Sequence, residues 1–348
     1  MEIRVYTGDF DFAGVIENHQ SLLWHRVYGS PGDFTLQVPM TAENSNLLQL
    51  GRVVWVKGKV EAGVIESREI VRTGRQNVMN VNGRFLETYF NRRLINLSSF
   101  TGRVEAAMRQ LVTDYPLSSM IELGEDNGFT ETVTFQAIYK NMLTYENNLA
   151  ASAAFGYRMR PDFTNKKIIF EVFKGVDHTA GQYDNTRVIF SDDYENLNDL
   201  RRVENDQIYY NVCVVGGQGE GEYKTYVTVG DTETTGINRR EMYYEATEIQ
   251  SNGLTWADYL EALRTRGREI LNDHKIADSV ECTVLPLGNF IYKTDYDLGD
   301  IVTIKKPEWN IAHDLRITEV TEIYESENPS IEIILGTPLP TKINWGAI

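Results

Sequence analysis

The feature that most constrains the fold is a series of short segments in which apolar and polar residues alternate. Phe34, Leu36 and Val38 are separated by single polar residues, which places the three apolar side chains on one face of a strand. Residues 29–33, directly before them, have the Gly, Pro and Asp content of a tight turn. Short strands separated by such turns predict a first β-barrel-like domain over residues 1–90.

The sequence period changes between residues 91 and 190. Apolar residues recur at helical spacing in residues 102–112, which predicts a helix with Thr101 as its N-cap. A second helix is predicted over residues 138–155. Two strands are then predicted at residues 157–163 and 167–173. We therefore expect an inserted α+β domain over this stretch.

The β pattern returns in residues 191–348, which we expect to form a second β-barrel-like domain carrying a helix at residues 256–274. Leu260, Leu263 and Ile270 line one stripe of that helix against a charged face. The expected fold class is thus mainly β with an α+β insertion: two β-barrel-like tube domains plus smaller peripheral domains. The two β-rich parts indicate a duplicated architecture, although no sequence repeat is readable.

Composition argues against several classes of protein. The hydrophobic fraction of 42% is sufficient for packed cores, and no run approaches the about 20 apolar residues of a membrane helix. The N-terminus has neither the basic start nor the apolar stretch of a signal peptide, so we expect synthesis in the cytoplasm without membrane insertion. The formal net charge is −16, and the lack of a concentrated basic patch argues against sequence-specific nucleic-acid binding.

No pattern in the sequence indicates catalysis, a metal or a cofactor. The five histidines are scattered, without a recognised metal-ligand spacing, and the best pair, Asp177 and His178, lies in a loop. Residues 216–221 are rich in Gly, but strand-like sequence flanks them where a phosphate loop would lead into a helix. Cys213 and Cys282 lie in apolar runs, so we expect buried, reduced thiols, with a disulfide or metal pair as the alternative.

Four stretches, taken in order, carry a family resemblance. The first contains a Ser-Leu-x-Trp motif, a Gly-x-Phe motif and a Leu-Leu-x-x-Gly segment, the second precedes a Tyr-Asn-x-x-x-Val strand, and the third is a Leu-x-x-Arg-Gly helix. The matching residues are 9–17, 21–24, Tyr28, 32–36, Pro39, Asn44 and 47–51 in the first stretch, 199–206 in the second, 263–267 in the third and 298–302 in the fourth. Together they resemble the tail-tip hub proteins of siphophages and prophages, and the N-terminal structural module of tail-associated lysozymes and endopeptidases.

This resemblance implies a structural protein of the virion tail, assembled in the host cytoplasm, and not an enzyme. Three subunits are expected to form a ring, in which the paired barrels match a hexameric tail tube and leave a channel for DNA. The implied partners are the tail tube or distal tail protein, the end of the tape-measure protein, and tip or receptor-binding proteins. Some relatives continue into a hydrolase or receptor-binding region, and because the sequence stops at Ile348, soon after the last predicted strand, we expect none here.

A ring subunit must present apolar surface to its neighbours. Six residues are candidates for this surface, each with an ordinary core position as the alternative: Trp24, Tyr28, Phe34 and Trp55 in the first β region, and Trp309 and Ile311 in the second. An acidic channel that repels DNA phosphate is a further hypothesis. Two other functions stay open: a tail-associated endopeptidase or cell-wall hydrolase, and a carbohydrate-binding β module, which needs exposed aromatic residues.

Overall fold

The computed structural model describes residues 1–73, 76–284, 289–309, 311–325 and 330–337, and within these ranges the chain forms 21 strands and four α-helices. The first β region contains β1 (Ile3–Tyr6), β2 (Phe12–Ile16), β3 (Ser21–Val27), β4 (Asp33–Pro39), β5 (Val53–Val56), β6 (Gly63–Thr73) and β7 (Gln76–Phe85). The inserted stretch contains β8 (Leu94–Arg103), β9 (Ile121–Leu123), β10 (Thr132–Asn141), β11 (Gly156–Asp162) and β12 (Lys167–Phe173). The remaining strands are β13 (Ile189–Ser191), β14 (Leu197–Asn205), β15 (Val212–Gly216), β16 (Tyr226–Gly230), β17 (Glu241–Glu245), β18 (Ala277–Val284), β19 (Ile301–Lys306), β20 (Ile311–Tyr324) and β21 (Ser330–Thr337). The helices are α1 (Ala42–Leu47), α2 (Val104–Asp114), α3 (Met142–Ala153) and α4 (Trp256–Asn272).

One sheet runs through both β-rich parts of the chain. Among the described residues thirteen strands belong to it, in the order β14-β18-β21-β20-β3-β4-β7-β6-β5-β1-β2, with β19 beside β20 and β13 beside β19. The two parts join where β3 pairs antiparallel with β20, so that Trp24 lies opposite Glu322. The prediction of a mainly β, multi-domain fold is confirmed.

Alternation builds the core of the first β region as the sequence predicts. Phe34, Leu36 and Val38 are buried in β4, whereas the residues between them are partly exposed. The Phe34 ring lies close to the sheet because Gly83 has no side chain: a Cβ atom there would come within 2.7 Å of the ring and 1.8 Å of the Val64 carbonyl oxygen. Removing such a ring from water stabilises the fold by about 2 kcal/mol.

The inserted stretch packs directly against the first β region. Strand β8 pairs with β10, and β12 lies between β9 and β11, so that this stretch contributes two small sheets. Helices α2 and α3 cover them, and the buried apolar residues form one cluster with Tyr6, Phe10 and Val64 of the first β region. A shared core, and not a linker, therefore fastens the inserted stretch to the large sheet.

Two helix predictions in this stretch are wrong at their N-terminal ends. Strand β10 continues to Asn141, which caps α3 by accepting a hydrogen bond from the Thr144 amide at 3.1 Å, so the helix does not begin at residue 138. Thr101 lies inside β8 and is not a cap, because α2 starts only after Arg103. In both cases the cross-strand pairing of β8 with β10 outweighs the helical spacing of the apolar residues.

Helix α4 packs on a separate three-stranded sheet, in the order β16-β15-β17. Thr255 caps the helix by accepting a hydrogen bond from the Asp258 amide at 3.2 Å, and the helix falls within the predicted range. Val215 of the sheet and Leu263 of the helix share a hydrophobic cluster of their own. The helix thus belongs to a small α+β unit beside the large sheet, and the division into domains at residues 90 and 190 stays a prediction.

Candidate functional site

Three of the six predicted interface residues are core residues of this chain. Trp24, Phe34 and Ile311 expose 0%, 1% and 1% of their surface, and Trp24 packs on Phe34 and on Phe85. They lie on the inward face of their strands, which leaves no side-chain surface for a neighbouring subunit. For these three residues the alternative interpretation as core residues holds.

The other three predicted interface residues retain exposed surface. Trp309 is 46% exposed, and Trp55 is half-buried and donates its indole N–H to the Lys59 carbonyl oxygen at 2.8 Å. Tyr28 donates its hydroxyl to the Ala154 carbonyl oxygen at 2.8 Å, so it links the first β region to the inserted stretch within one chain. An interface role for Tyr28, Trp55 and Trp309 stays a prediction.

Trp55 belongs to an aromatic cluster at the β2 end of the large sheet. Phe163, from the loop between β11 and β12, stacks on Tyr6 with ring centroids 3.8 Å apart, and its centroid lies 5.2 Å from that of Trp55. Phe12 of β2 meets Tyr6 edge-on at 5.7 Å and is largely exposed. With the charged side chains around them, these rings line a groove of about 590 Å³.

The large sheet has an open edge at both ends of its strand order. Within the described ranges β2 pairs only with β1, and β14 pairs only with β18. Val15 is exposed on β2 and Arg201 on β14. An edge strand presents backbone N–H and C=O groups that another strand can pair with, so one subunit carries two different edges that another copy could use.

The junction between β3 and β20 is lined by charged side chains. Arg26 of β3 is buried and donates to the Glu61 carboxylate at 2.7 Å, to the Tyr292 hydroxyl at 2.6 Å and to the Asp297 carboxylate at 2.5 Å. Burial opposes the charge of Arg26, but the surrounding carboxylates outweigh burial and raise its pKa. Arg26 therefore stays cationic and ties the first β region to the segment before β19.

A second buried ion pair lies beside the first. Lys59 pairs with Glu322 of β20, and each side chain exposes only 6% of its surface. Glu322 also accepts a hydrogen bond from Tyr324 at 2.5 Å and lies 3.2 Å from the Lys293 ammonium. Burial lowers the pKa of Lys59 to about 8. For Glu322 the attraction of two lysines outweighs burial and lowers the pKa to about 2, so both groups are charged at neutral pH.

His25 of β3 completes the set of charged groups at the junction. Its Nδ1 lies 2.9 Å from an Asp33 carboxylate oxygen on β4, and its Nε2 lies 2.9 Å from a Glu319 carboxylate oxygen on β20. Burial disfavours the imidazolium, but hydrogen bonds to the two carboxylates outweigh burial and raise the pKa of His25 to about 9. Three cations of the first β region, His25, Arg26 and Lys59, are thus neutralised partly by carboxylates of the second.

The described residues contain no group of three or more His, Cys, Asp and Glu side chains placed to hold a metal. Cys213 and Cys282 are buried free thiols, and burial raises the pKa of Cys282 to about 12.

His178 does not pair with Asp177; its Nδ1 contacts the Thr186 carbonyl oxygen at 2.6 Å. Gly216 ends β15, and residues 217–221 lead on towards its antiparallel neighbour β16, as expected for a β loop. Across the same ranges, the helices lack the length and apolar content needed to cross a membrane.

Sequence reasoning missed the charged junction. Its members are far apart along the chain, and each is an ordinary charged residue in a β-rich context. One signal was available: the alternation of β3 places Arg26 on the same face as Leu22 and Trp24. A cation on a buried face needs partners of opposite charge, so this position indicates that buried carboxylates lie nearby.

Comparisons with known proteins also indicate a phage tail protein. The family described as Siphovirus ReqiPepy6 Gp37-like protein matches residues 2–337, and no curated protein sequence matches the chain significantly. Three solved structures share the fold: the 43 kDa tail protein of prophage MuSo2 from Shewanella oneidensis (14% identity, TM-score 0.59, 97% of this chain and 99% of that chain), a tail protein from Neisseria meningitidis (12%, 0.57, 96% and 95%), and prophage tail protein gp18 from Listeria monocytogenes (12%, 0.56, 96% and 94%). At these identities the likeness shows a common fold over nearly the whole chain.

Proposed function

Since the chain belongs to the Siphovirus ReqiPepy6 Gp37-like family and has the fold of prophage tail proteins, we propose that it is the structural hub of a phage or prophage tail tip. Three copies form a ring that continues the tail tube and anchors the tip proteins. The observation that carries the proposal is the sheet that joins two β regions in one subunit and, among the strands that the structure describes, leaves a different edge open at each end of its strand order.

The open edges fit a head-to-tail association. A ring of identical subunits needs two different, complementary surfaces on each copy, and the edges of β2 and β14 are two such surfaces. Phe12 and Val15 add exposed apolar side chains at the β2 edge. In the ring, β2 of one copy lies beside β14 of the next, which removes the unpaired edges from solvent.

The charged junction supports this role by fixing the angle between the two β regions. Buried ion pairs add little net stability, since desolvation offsets their attraction, but a displaced partner leaves an unpaired buried charge. Arg26 and Lys59 therefore penalise any relative shift of β3 and β20. A subunit with a fixed angle closes a ring of one size, whereas a flexible one would give a mixture.

The proposed partners follow from the position in the tail. The ring contacts the tail tube or distal tail protein on one side, and the tape-measure end and tip or receptor-binding proteins on the other. DNA passes through its channel without specific binding. The net charge of −16 supports an acidic lumen that repels DNA phosphate, and a neutral or basic lumen in an imaged ring would contradict that part.

Cysteine cross-linking tests the ring. A chain carrying both Val15→Cys and Arg201→Cys is expected to form disulfides between copies under oxidation, with a covalent three-copy ring as the largest closed product. Denaturing gels and mass photometry would measure this. A control chain with Ile70→Cys and Arg201→Cys places the first thiol on β6, inside the strand order, where it is also exposed. Equal cross-linking of both chains, or a purely monomeric protein together with tail particles lacking this subunit, would overturn the proposal.

A further inference from the structure

The small sheet beside the large one presents tyrosines on its outer face. Val227 and Val229 of β16 face helix α4, so Tyr226, next to Val227, lies on the opposite face. Tyr243 of β17 pairs with Val214 of β15. This register places Tyr243 on the same outer face as Tyr226. Tyr226 and Tyr243 are 55% and 52% exposed. Two half-exposed aromatic side chains on one face of a sheet offer rings on which a ligand can stack.

Gly216 of β15 lies between the two tyrosines. It is directly opposite Tyr226 on one side and Glu245 on the other. A Cβ atom on Gly216 would come within 2.2 Å of the Tyr243 hydroxyl, so the missing side chain lets Tyr243 extend across β15. The two tyrosines start from strands that are two strand spacings, about 10 Å, apart, and the Tyr243 hydroxyl ends beside Gly216, the residue paired with Tyr226.

Polar groups are fixed around the rings. The Lys224 ammonium donates to both Glu245 carboxylate oxygens at 2.6 and 2.5 Å, and the Tyr243 hydroxyl donates to Glu245 at 2.5 Å. These hydrogen bonds from Lys224 and Tyr243 lower the pKa of Glu245, so the carboxylate stays ionised. The face therefore combines aromatic rings with hydrogen-bonding groups that are already held in place.

We propose that this face binds a neutral oligosaccharide. Aromatic rings can cover the apolar C–H faces of sugar rings, while a few polar groups at fixed positions bind the hydroxyls. Small-molecule sites usually combine apolar and polar groups in this way. A protein partner fits less well, because the centre of protein interfaces is depleted of charged residues, whereas Lys224 and Glu245 lie directly beside Tyr243 on this face. An anionic glycan is disfavoured, because Glu241 and Glu245 lie on this face and the chain carries a net charge of −16.

The site is separate from the surfaces that the proposed ring uses. The small unit is joined to the inserted stretch through a Lys140–Glu248 ion pair at 3.1 Å and a hydrogen bond from the Gln250 amide to the Gln136 side chain at 2.7 Å. Neither β2 nor β14 contributes a residue to the tyrosine face. A subunit in a tail tip could thus contact saccharide on a cell surface while its sheet edges hold the ring.

The test uses the full chain on an array of neutral oligosaccharides built from hexoses and N-acetylhexosamines, with anionic glycans on the same array. At least one neutral oligosaccharide is expected to bind, and its Kd is then measured by isothermal titration calorimetry. Tyr226→Ala and Tyr243→Ala are each expected to raise that Kd by about tenfold, the effect of losing one stacked ring. Tyr183→Ala removes a tyrosine elsewhere that is even more exposed, at 88%, and should leave the Kd unchanged.

A second variant tests the geometry without removing a ring. Gly216→Ala keeps both tyrosines but displaces the Tyr243 hydroxyl, and it should also raise the Kd. Thermal unfolding confirms that each variant is folded, and ring formation should be unaffected in all of them, which separates this inference from the hub proposal. Three results would overturn the inference. They are an absence of binding to every neutral oligosaccharide at millimolar concentration, binding to anionic glycans alone, and a Kd that neither tyrosine substitution changes.

Discussion

The buried Lys59–Glu322 pair gives the sharpest test of the junction. Glu322→Gln removes the carboxylate that neutralises Lys59 and leaves the ammonium enclosed beside Lys293. Removing one member of a buried ion pair costs about 3–5 kcal/mol of the free energy of unfolding, and two neighbouring lysines place this variant in the upper half of that range. Lys59→Met is expected to cost about 3 kcal/mol, because Lys293 still partly neutralises Glu322.

The double variant Lys59→Met, Glu322→Gln removes both charges and is expected to lose far less than the sum of the two single losses. The resulting coupling energy should be about 3 kcal/mol, within the range found for residues in direct contact. Urea unfolding followed by tryptophan fluorescence measures it, and the buried Trp24, whose ring centroid lies 5.8 Å from the Lys59 ammonium, reports on this place.

A matched control is the Lys57–Glu2 pair, which joins the same part of the chain at 3.0 Å but is exposed. Its coupling energy should be below about 1 kcal/mol, as is usual for surface pairs. If Glu322→Gln costs less than about 1 kcal/mol, or if the two junction substitutions are simply additive, then the charges do not hold β3 and β20 together as argued.

Three further predictions concern single residues. Because the pKa of His25 is raised from 6.5 to about 9 in the folded state, its stabilisation is complete below pH 6.5 and is lost as the pH rises through 9. Lys59 acts in the opposite direction over this range, since its pKa is lowered to about 8, so the effect is measured as a difference from His25→Gln. Between about pH 6 and about pH 9.5 the unaltered chain should lose about 2 kcal/mol more of its free energy of unfolding in urea than the variant does, and an equal change in both chains would refute this. Glu146 is buried in α3, where neither carboxyl oxygen has a hydrogen-bond partner among the described residues, and burial raises its pKa well above 4.5. Since Glu146 ionises in the unfolded chain at a lower pH than in the folded chain, stability falls above pH 4.5. Glu146→Met should raise the free energy of unfolding at neutral pH by about 1–2 kcal/mol, whereas a decrease would show that the carboxyl is needed. Gly83→Ala should cost about 3 kcal/mol by forcing the new methyl group against the Val64 carbonyl, while Gly181→Ala, with open space around it, should change thermal stability little; equal effects would contradict the packing argument.

The parts of the fold that sequence could predict are those in which one strand or helix carries its own signal. Phe34, Leu36 and Val38 repeat every second residue and are buried together, and helix α4 has both an apolar stripe and Thr255 as its cap. The start of α3 could not be predicted in the same way, because the apolar residues around Ile138 suit a strand as well as a helix. Only the partner strand β8 decides between the two.

The candidate sites depend even more on distant partners. Aromatic residues such as Trp24 suggest an interface from sequence, but the same residue type fills cores, and only the register of β3 with β4 shows which face is enclosed. The charged junction needs Arg26 and Asp297 to meet across the sheet. The tyrosine face requires Tyr226, Gly216 and Tyr243 to be aligned on three strands, and no local pattern reports that alignment.

The pairing of β3 with β20 also decides when a newly made chain can finish folding. Ser21 and Glu325, which are hydrogen-bonded at the end of this pairing, are 304 positions apart, so β3 leaves the ribosome long before β20 exists. Contacts of such separation form late and slowly. A prematurely terminated product lacks β20 and exposes Lys59 without its counter-charge, so translation errors yield chains that cannot present a completed subunit to a growing tail.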